Sequence, residues 1–160
     1  MPTVGASIRI NAPVDVVVAV LLDADKAPLW TSGLDRLELV EGSVGEPGSI
    51  GRAHYQEGDR RYVLNDVLEE VDPGRRYVSR ISGGGITARV ETVLQPMTPG
   101  ETRLQLRWSG RGTNPVTWLM LPFMRRRMAE RMATDLDALR VLAEGPDAGR
   151  PIQASQPPRS

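Results

Sequence analysis

Residues 118–132 read WLMLPFMRRRMAERM, with methionine at positions 120, 124, 128 and 132. Four residues advance an α-helix by about 400°, so each methionine is rotated about 40° from the one before it. Measured from Met124, Met120 falls at about −40°, Leu142 at about zero, Met128 at about 40°, Leu121 and Leu139 at about 60°, Met132 at about 80° and Leu136 at about 120°. That is one continuous apolar arc, wider than the seam of a two-stranded coiled coil, and it belongs to a helix packed on a core. Asn114-Pro115 opens the helix: the Asn oxygen can accept an orphan backbone N–H, and proline at the first helical position loses no bond. The pattern predicts a helix from there to about Glu144.

Two features modify this rod. Pro122 has no N–H and its ring crowds the carbonyl of Trp118, which predicts a kinked helix or one divided into a short lead and a main rod, with the break over residues 118–121. Arg126 and Arg127 fall outside the arc, where Arg126 can pair with Glu130 one turn on. Arg131 and Asp135 project inside the arc, so they either pair at a wet edge or line a polar opening. The apolar-then-basic run 118–127 also has the make-up of an amphipathic membrane foot; zero net charge and a long polar face favour a core helix with a solvated arginine edge.

What the arc covers is written in the preceding residues. Ile86, Ala88, Val90 and Leu94 alternate with Thr87, Arg89 and Glu91; after Pro99-Gly100, Leu104, Leu106 and Trp108 oppose Arg103, Gln105 and Arg107. A period of two means a sheet with one covered and one wet face. Earlier strands are expected near 7–10, from 34 onward, and over 50–56, 61–71 and 76–82, separated by Glu57-Gly58-Asp59-Arg60, Asp72-Pro73-Gly74 and Gly83-Gly84-Gly85. The triple glycine lacks the Lys-Ser/Thr and following helix of a phosphate loop, so it reads as a hairpin turn. Asn11-Ala12-Pro13 is read as a capped start for a short helix to about Leu22, and residues 26–33 as another short helical piece.

The chain has 160 residues, enough for one domain with a real core. Twenty basic and twenty acidic residues cancel, so no overall field gathers nucleic acid. Without cysteine there are no disulfides, thiolate metal sites or cysteine nucleophiles. A metal site would rest on His54 and carboxylates alone, which disfavours zinc and copper; no metal or other cofactor is expected. No signal peptide or membrane-spanning run is read, and the expectation is a cytoplasmic protein, monomeric or homodimeric. Residues 145–160, rich in Pro, Gly and small polar residues, read as a disordered tail after a domain spanning 1–144.

The order of elements is then strand, two short helices, six antiparallel strands and a long terminal helix, an α+β arrangement. With Ile10-Asn11-Ala12-Pro13-Val14-Asp15-Val16-Val17, Pro28-Leu29-Trp30, Gly48-Ser49-Ile50-Gly51, Val71-Asp72-Pro73-Gly74-Arg75-Arg76-Tyr77, Gly100-Glu101-Thr102 and Leu142-Ala143-Glu144, the chain resembles the START-like (SRPBCC) helix-grip superfamily over residues 4–144. That superfamily includes bacterial polyketide cyclase/dehydrase-like proteins, coenzyme Q-binding proteins and the major pollen allergens. The resemblance implies a curved sheet of about seven strands gripping the terminal helix, with an apolar cavity between them for a lipid, polyketide, isoprenoid or similar molecule. It does not imply catalysis.

On that reading the walls are Leu29, Trp30, Ile81, Ala88, Val90, Leu106, Trp108, Met120, Phe123, Met124, Met128 and Met132. Methionine and aromatic side chains serve a core equally well, and spacing alone favours a core. Ser79, Asn65, Tyr55, Tyr62 and Thr92 are the polar groups available to orient a ligand. Binding or transport is the first reading. The alternative is a polyketide cyclase/aromatase that transfers protons through His54 or Tyr55. His54 is the only histidine, and no orienting partner lies near it in sequence, so a solvent-facing or hydrogen-bonded strand histidine is the plainer account.

Overall fold

A computed structural model describes residues 3–146 and 148, without the side chain of Leu121. Its elements in chain order are β1 (Thr3–Ile10), α1 (Val14–Leu21), α2 (Ala27–Trp30), β2 (Leu34–Glu41), β3 (Ile50–Glu57), β4 (Arg60–Asp72), β5 (Arg76–Gly83), β6 (Ile86–Thr98), β7 (Glu101–Gly112) and α3 (Pro115–Glu144). The strands form one antiparallel sheet in the order β1-β7-β6-β5-β4-β3-β2. Consecutive hairpins build β2 to β7, and β1 joins on the outside of β7 with Val4 opposite Trp108 and Ile10 opposite Thr102. This curved sheet against a long terminal helix is the helix-grip arrangement.

The tight turns sit where the sequence places them. Gly58 has φ +60°, and Gly84 and Gly85 have φ +61° and +80°, the left-handed conformation that two-residue hairpins need and that glycine adopts without strain. Asn114 caps α3, its Oδ1 accepting from Thr117 N at 2.9 Å.

Two helix details depart from expectation. Asn11 does not cap α1. Extended Pro13 is the N-cap, with Val16 N donating to Pro13 O at 3.1 Å, and Asn11 N instead donates to Glu144 Oε1 at 2.9 Å. The expected break before Pro122 is absent: α3 runs through Pro122 for 30 residues. Proline removes one i→i−4 bond, and the remaining turns carry the helix past it.

The core sits at one end of the grip. Ile10, Val17, Val20, Leu104 and Leu139 are fully buried there, with Leu94, Leu136 and Ala143 at 2–3% exposure. Ala148 joins them, and its carbonyl accepts from the buried Lys26 Nζ at 2.7 Å, so chain just past Glu144 packs on the core. The rest of the expected tail, residue 147 and residues 149–160, lies outside the described residues.

Toward its N-terminus, α3 leaves this core. It packs on β1 and β7 and against α1 and α2. Met124, Met128 and Met132 are only half-buried, and Met120 is exposed. The methionine arc therefore lies on a helix whose C-terminal half is in the core and whose N-terminal half borders an open end.

Candidate functional site at the open end of the grip

Strand pairing puts five residues in one row across the concave face: Gly51 opposite Asp66, Asp66 opposite Ile81, Ile81 opposite Ala88, and Ala88 opposite Gly110. The next row toward the core runs Leu68, Ser79, Val90, Trp108 and Val4, and the one after it contains Tyr77, Thr92, Leu106 and Ala6. On the other side of the Asp66 row, Ala53 faces Leu64 and Tyr55 faces Tyr62. Ala88 is buried, whereas Ile81, Val90, Trp108, Leu64, Tyr55 and Tyr62 are half-buried. The row floor is low at Ala88 and Gly110. The Trp108 ring lies across Gly110, where a Cβ would stand 2.1 Å from its Cη2.

Polar groups gather on this surface. Burial pushes the Asp66 carboxyl above its ordinary 3.8, offset in part by a hydrogen bond from Ser79. Burial, with the neighbouring Tyr62, pushes the Tyr55 hydroxyl up to about 12. The two tyrosine rings stack with centroids 5.1 Å apart and planes 6° from parallel, and the Arg131 guanidinium lies 5.9 Å from the Tyr55 centroid. Tyr62 is raised by burial and by Glu57, whose Oε1 accepts from its hydroxyl at 3.2 Å.

Arg131 and Asp135 do not pair with each other. Arg131 bonds Glu57 and the Ser32 carbonyl, while Asp135 accepts from Ser32 N at 3.0 Å and from the Ser32 hydroxyl. Burial works against the Arg131 charge, and the Glu57 carboxylate outweighs it, holding the guanidinium above its usual value. The pair thus clamps α3 to the turn between α2 and β2 and to the β3–β4 hairpin. Behind that turn Trp30 is half-buried, and its indole Nε1 is buried without a partner among the described residues.

Several expected site residues lie elsewhere. Leu29, Met120 and Phe123 are 58%, 52% and 80% exposed and form no enclosed wall, because the N-terminal turns of α3 and the outer side of α2 stand clear of the sheet. Asn65 is opposite Arg52 and Ser82 on the convex face. His54 is there too, out of phase with the buried Ala53, its Nε2 2.7 Å from Glu38 Oε1. That hydrogen bond lowers the Glu38 pKa. Trp30, Ile81, Val90, Leu106, Trp108, Met124, Met128 and Met132 are half-buried and Ala88 and Thr92 buried. Asp66 joins this set, and its signal in the sequence is phase, since it shares parity with Leu64 and Leu68.

Two shallow depressions, of about 350 and 390 Å³, lie at Ser7, Ile8, Arg9, Met97 and Arg103 and at Gly33, Leu34, Asp35, Gln56 and Gly58; the second adjoins the clamp, since Gly33 lies against Arg131 and Glu57. The concave face is the candidate site.

The family model described as "Polyketide cyclase / dehydrase and lipid transport" matches residues 1–144. Among curated proteins none matches the sequence. Solved structures share the fold. A conserved protein from Geobacillus kaustophilus has a TM-score of 0.73 at 17% identity, covering 89% of this chain and 95% of its own. The Zhui aromatase/cyclase from Streptomyces sp. R1128 has 0.71 at 19%, with 89% and 93% covered. A START superfamily protein from Mycobacterium smegmatis has 0.70 at 15%, with 84% and 94% covered.

Proposed function

The chain belongs to the polyketide cyclase/dehydrase and lipid transport family, and from that premise we propose that it binds a largely apolar small molecule bearing a carbonyl or hydroxyl group on the concave face under the N-terminal half of α3. The observation that carries this reading is the mixed surface itself. Ile81, Val90, Trp108, Met124, Met128 and Met132 are apolar and only half-buried, so a ligand gains affinity by covering them, at roughly 25 cal/mol per Å². Asp66, Ser79 and Tyr55 supply a small number of polar contacts that fix orientation. A polyketide, an isoprenoid quinone or an oxygenated lipid has this chemistry.

A catalytic reading has one observation in its favour, the raised pKa of Asp66, since a carboxyl nearer neutrality is a better proton carrier for an enolisable polyketide. Tyr55, at about 12, is un-ionised at neutral pH and is no base there. His54, on the opposite face beside Glu38, has no path to the same ligand. Binding without turnover is therefore preferred.

The test is a thermal-shift and titration panel of lipids, quinones and aromatic polyketides on the parent, Trp108→Ala and His54→Ala. We expect a ligand whose affinity falls by about thirtyfold in Trp108→Ala, a loss of roughly 2 kcal/mol, and is unchanged in His54→Ala. Equal loss in both would move the site off the concave face. Polyketide turnover that disappears in Asp66→Asn would establish the catalytic reading.

A further inference from the structure

The first turns of α3 carry an apolar stripe that the fold leaves uncovered. Val116, Leu119, Met120 and Phe123 recur at i, i+3, i+4 and i+7 and are 72%, 65%, 52% and 80% exposed. In projection the stripe lies about 40–140° to one side of Met124, and the core-facing Leu136, Leu139 and Ala143 lie about 60–120° to the other. A helix oriented to bury the second set cannot bury the first.

The stripe runs directly into Arg125, Arg126 and Arg127, all exposed. Residues 114–134 contain four arginines and one acid, Glu130, in a chain whose charges balance overall. Arg126 meets Glu130 at 3.2 Å while staying 90% exposed. Arg126 and Arg127 lie within about 70° of the centre of the stripe, close enough for their long side chains to reach charges at its margin.

We propose that the N-terminal half of α3 is a docking face for an anionic lipid bilayer surface. Leu119, Met120 and Phe123 enter the boundary between headgroups and acyl chains, and Arg126 and Arg127 meet lipid phosphates and carboxylates. A single convex helix face with cations at its border fits a plane of anionic headgroups. Among the described residues no helix is long and apolar enough to cross a membrane, so the contact is peripheral and reversible. Docking stands independently of ligand binding, since it uses the outer face of the helix; where both hold, the open end of the grip borders the bilayer.

The full chain is mixed with phosphatidylcholine vesicles containing phosphatidylserine, and with phosphatidylcholine alone, and co-sedimentation is measured at low and high salt. Binding to the anionic vesicles only, weakening as salt rises, is expected. Arg126→Gln with Arg127→Gln lowers that affinity by about thirtyfold, from about fivefold per arginine at an anionic surface. Leu119→Ser with Phe123→Ser lowers it roughly tenfold or more, with circular dichroism and thermal midpoint unchanged because both side chains are exposed. Absence of binding to anionic vesicles, equal binding to both vesicle types, or full binding by either double variant overturns the proposal. A concentration-dependent dimer abolished by Phe123→Ser, without vesicle binding, overturns it in favour of a second copy of the chain.

Discussion

Asp66 shows what one buried carboxyl does to the surface around it. Its pKa is raised by burial, so the folded state holds the proton more tightly than the unfolded chain, where the value is near the ordinary 3.8. Stability is therefore undiminished below that ordinary value and falls as pH rises through the raised one, because the ionised carboxylate is disfavoured on the concave face. Asp66→Asn removes this cost. Thermal midpoints should show the variant above the parent at neutral pH, with the difference closing as pH falls below about 4. A parent at least as stable as Asp66→Asn at neutral pH would mean that the carboxylate is well accommodated there. Parity was legible at this scale: Ala53 and Tyr55 flank His54, which places the histidine on the other face. Which inward polar residue loses water was not legible, because burial depends on strands far apart in sequence.

At the scale of elements, α3 is governed by where its start rests. A Cβ on Gly112 would stand 2.3 Å from the Trp118 nitrogen and 2.8 Å from the Thr117 carbonyl carbon. Both are backbone atoms, so neither can swing aside, and Gly112→Ala must shift the first turn of the helix. A loss of about 1–3 kcal/mol is expected, read as a thermal midpoint lower by several degrees. An unchanged midpoint would show that the helix start is not held against β7. The sequence made this helix visible through Asn114-Pro115 and the methionine period, and it showed which azimuth faces inward for Leu136 and Leu139. It could not show how far along the axis the cover extends. Periodicity measures rotation, whereas the exposure of Met120 and Phe123 depends on where the sheet ends. Pro122 does not divide the helix for a related reason: one missing bond is local, and the surrounding turns outweigh it.

For the whole molecule, hairpin turns at Gly58 and Gly84-Gly85 and the alternation in β6 and β7 carried the seven-stranded plan almost directly. The pairing of β1 with β7 spans nearly the full chain and came into view through the family resemblance, not through any local pattern. The resulting object is asymmetric. Its closed end is packed around Ile10, Leu104, Leu136 and Leu139, and its open end presents Ile81, Val90 and Trp108 beside Asp66 and Tyr55. A surface of that kind is retained when something else completes it. Native mass spectrometry of the purified full chain, followed by organic extraction, tests this most directly. One bound apolar molecule bearing oxygen is expected, present on the parent and depleted in Trp108→Ala; a parent free of adduct, with no thermal shift from any lipid, quinone or polyketide, would rule out a ligand-binding concave face.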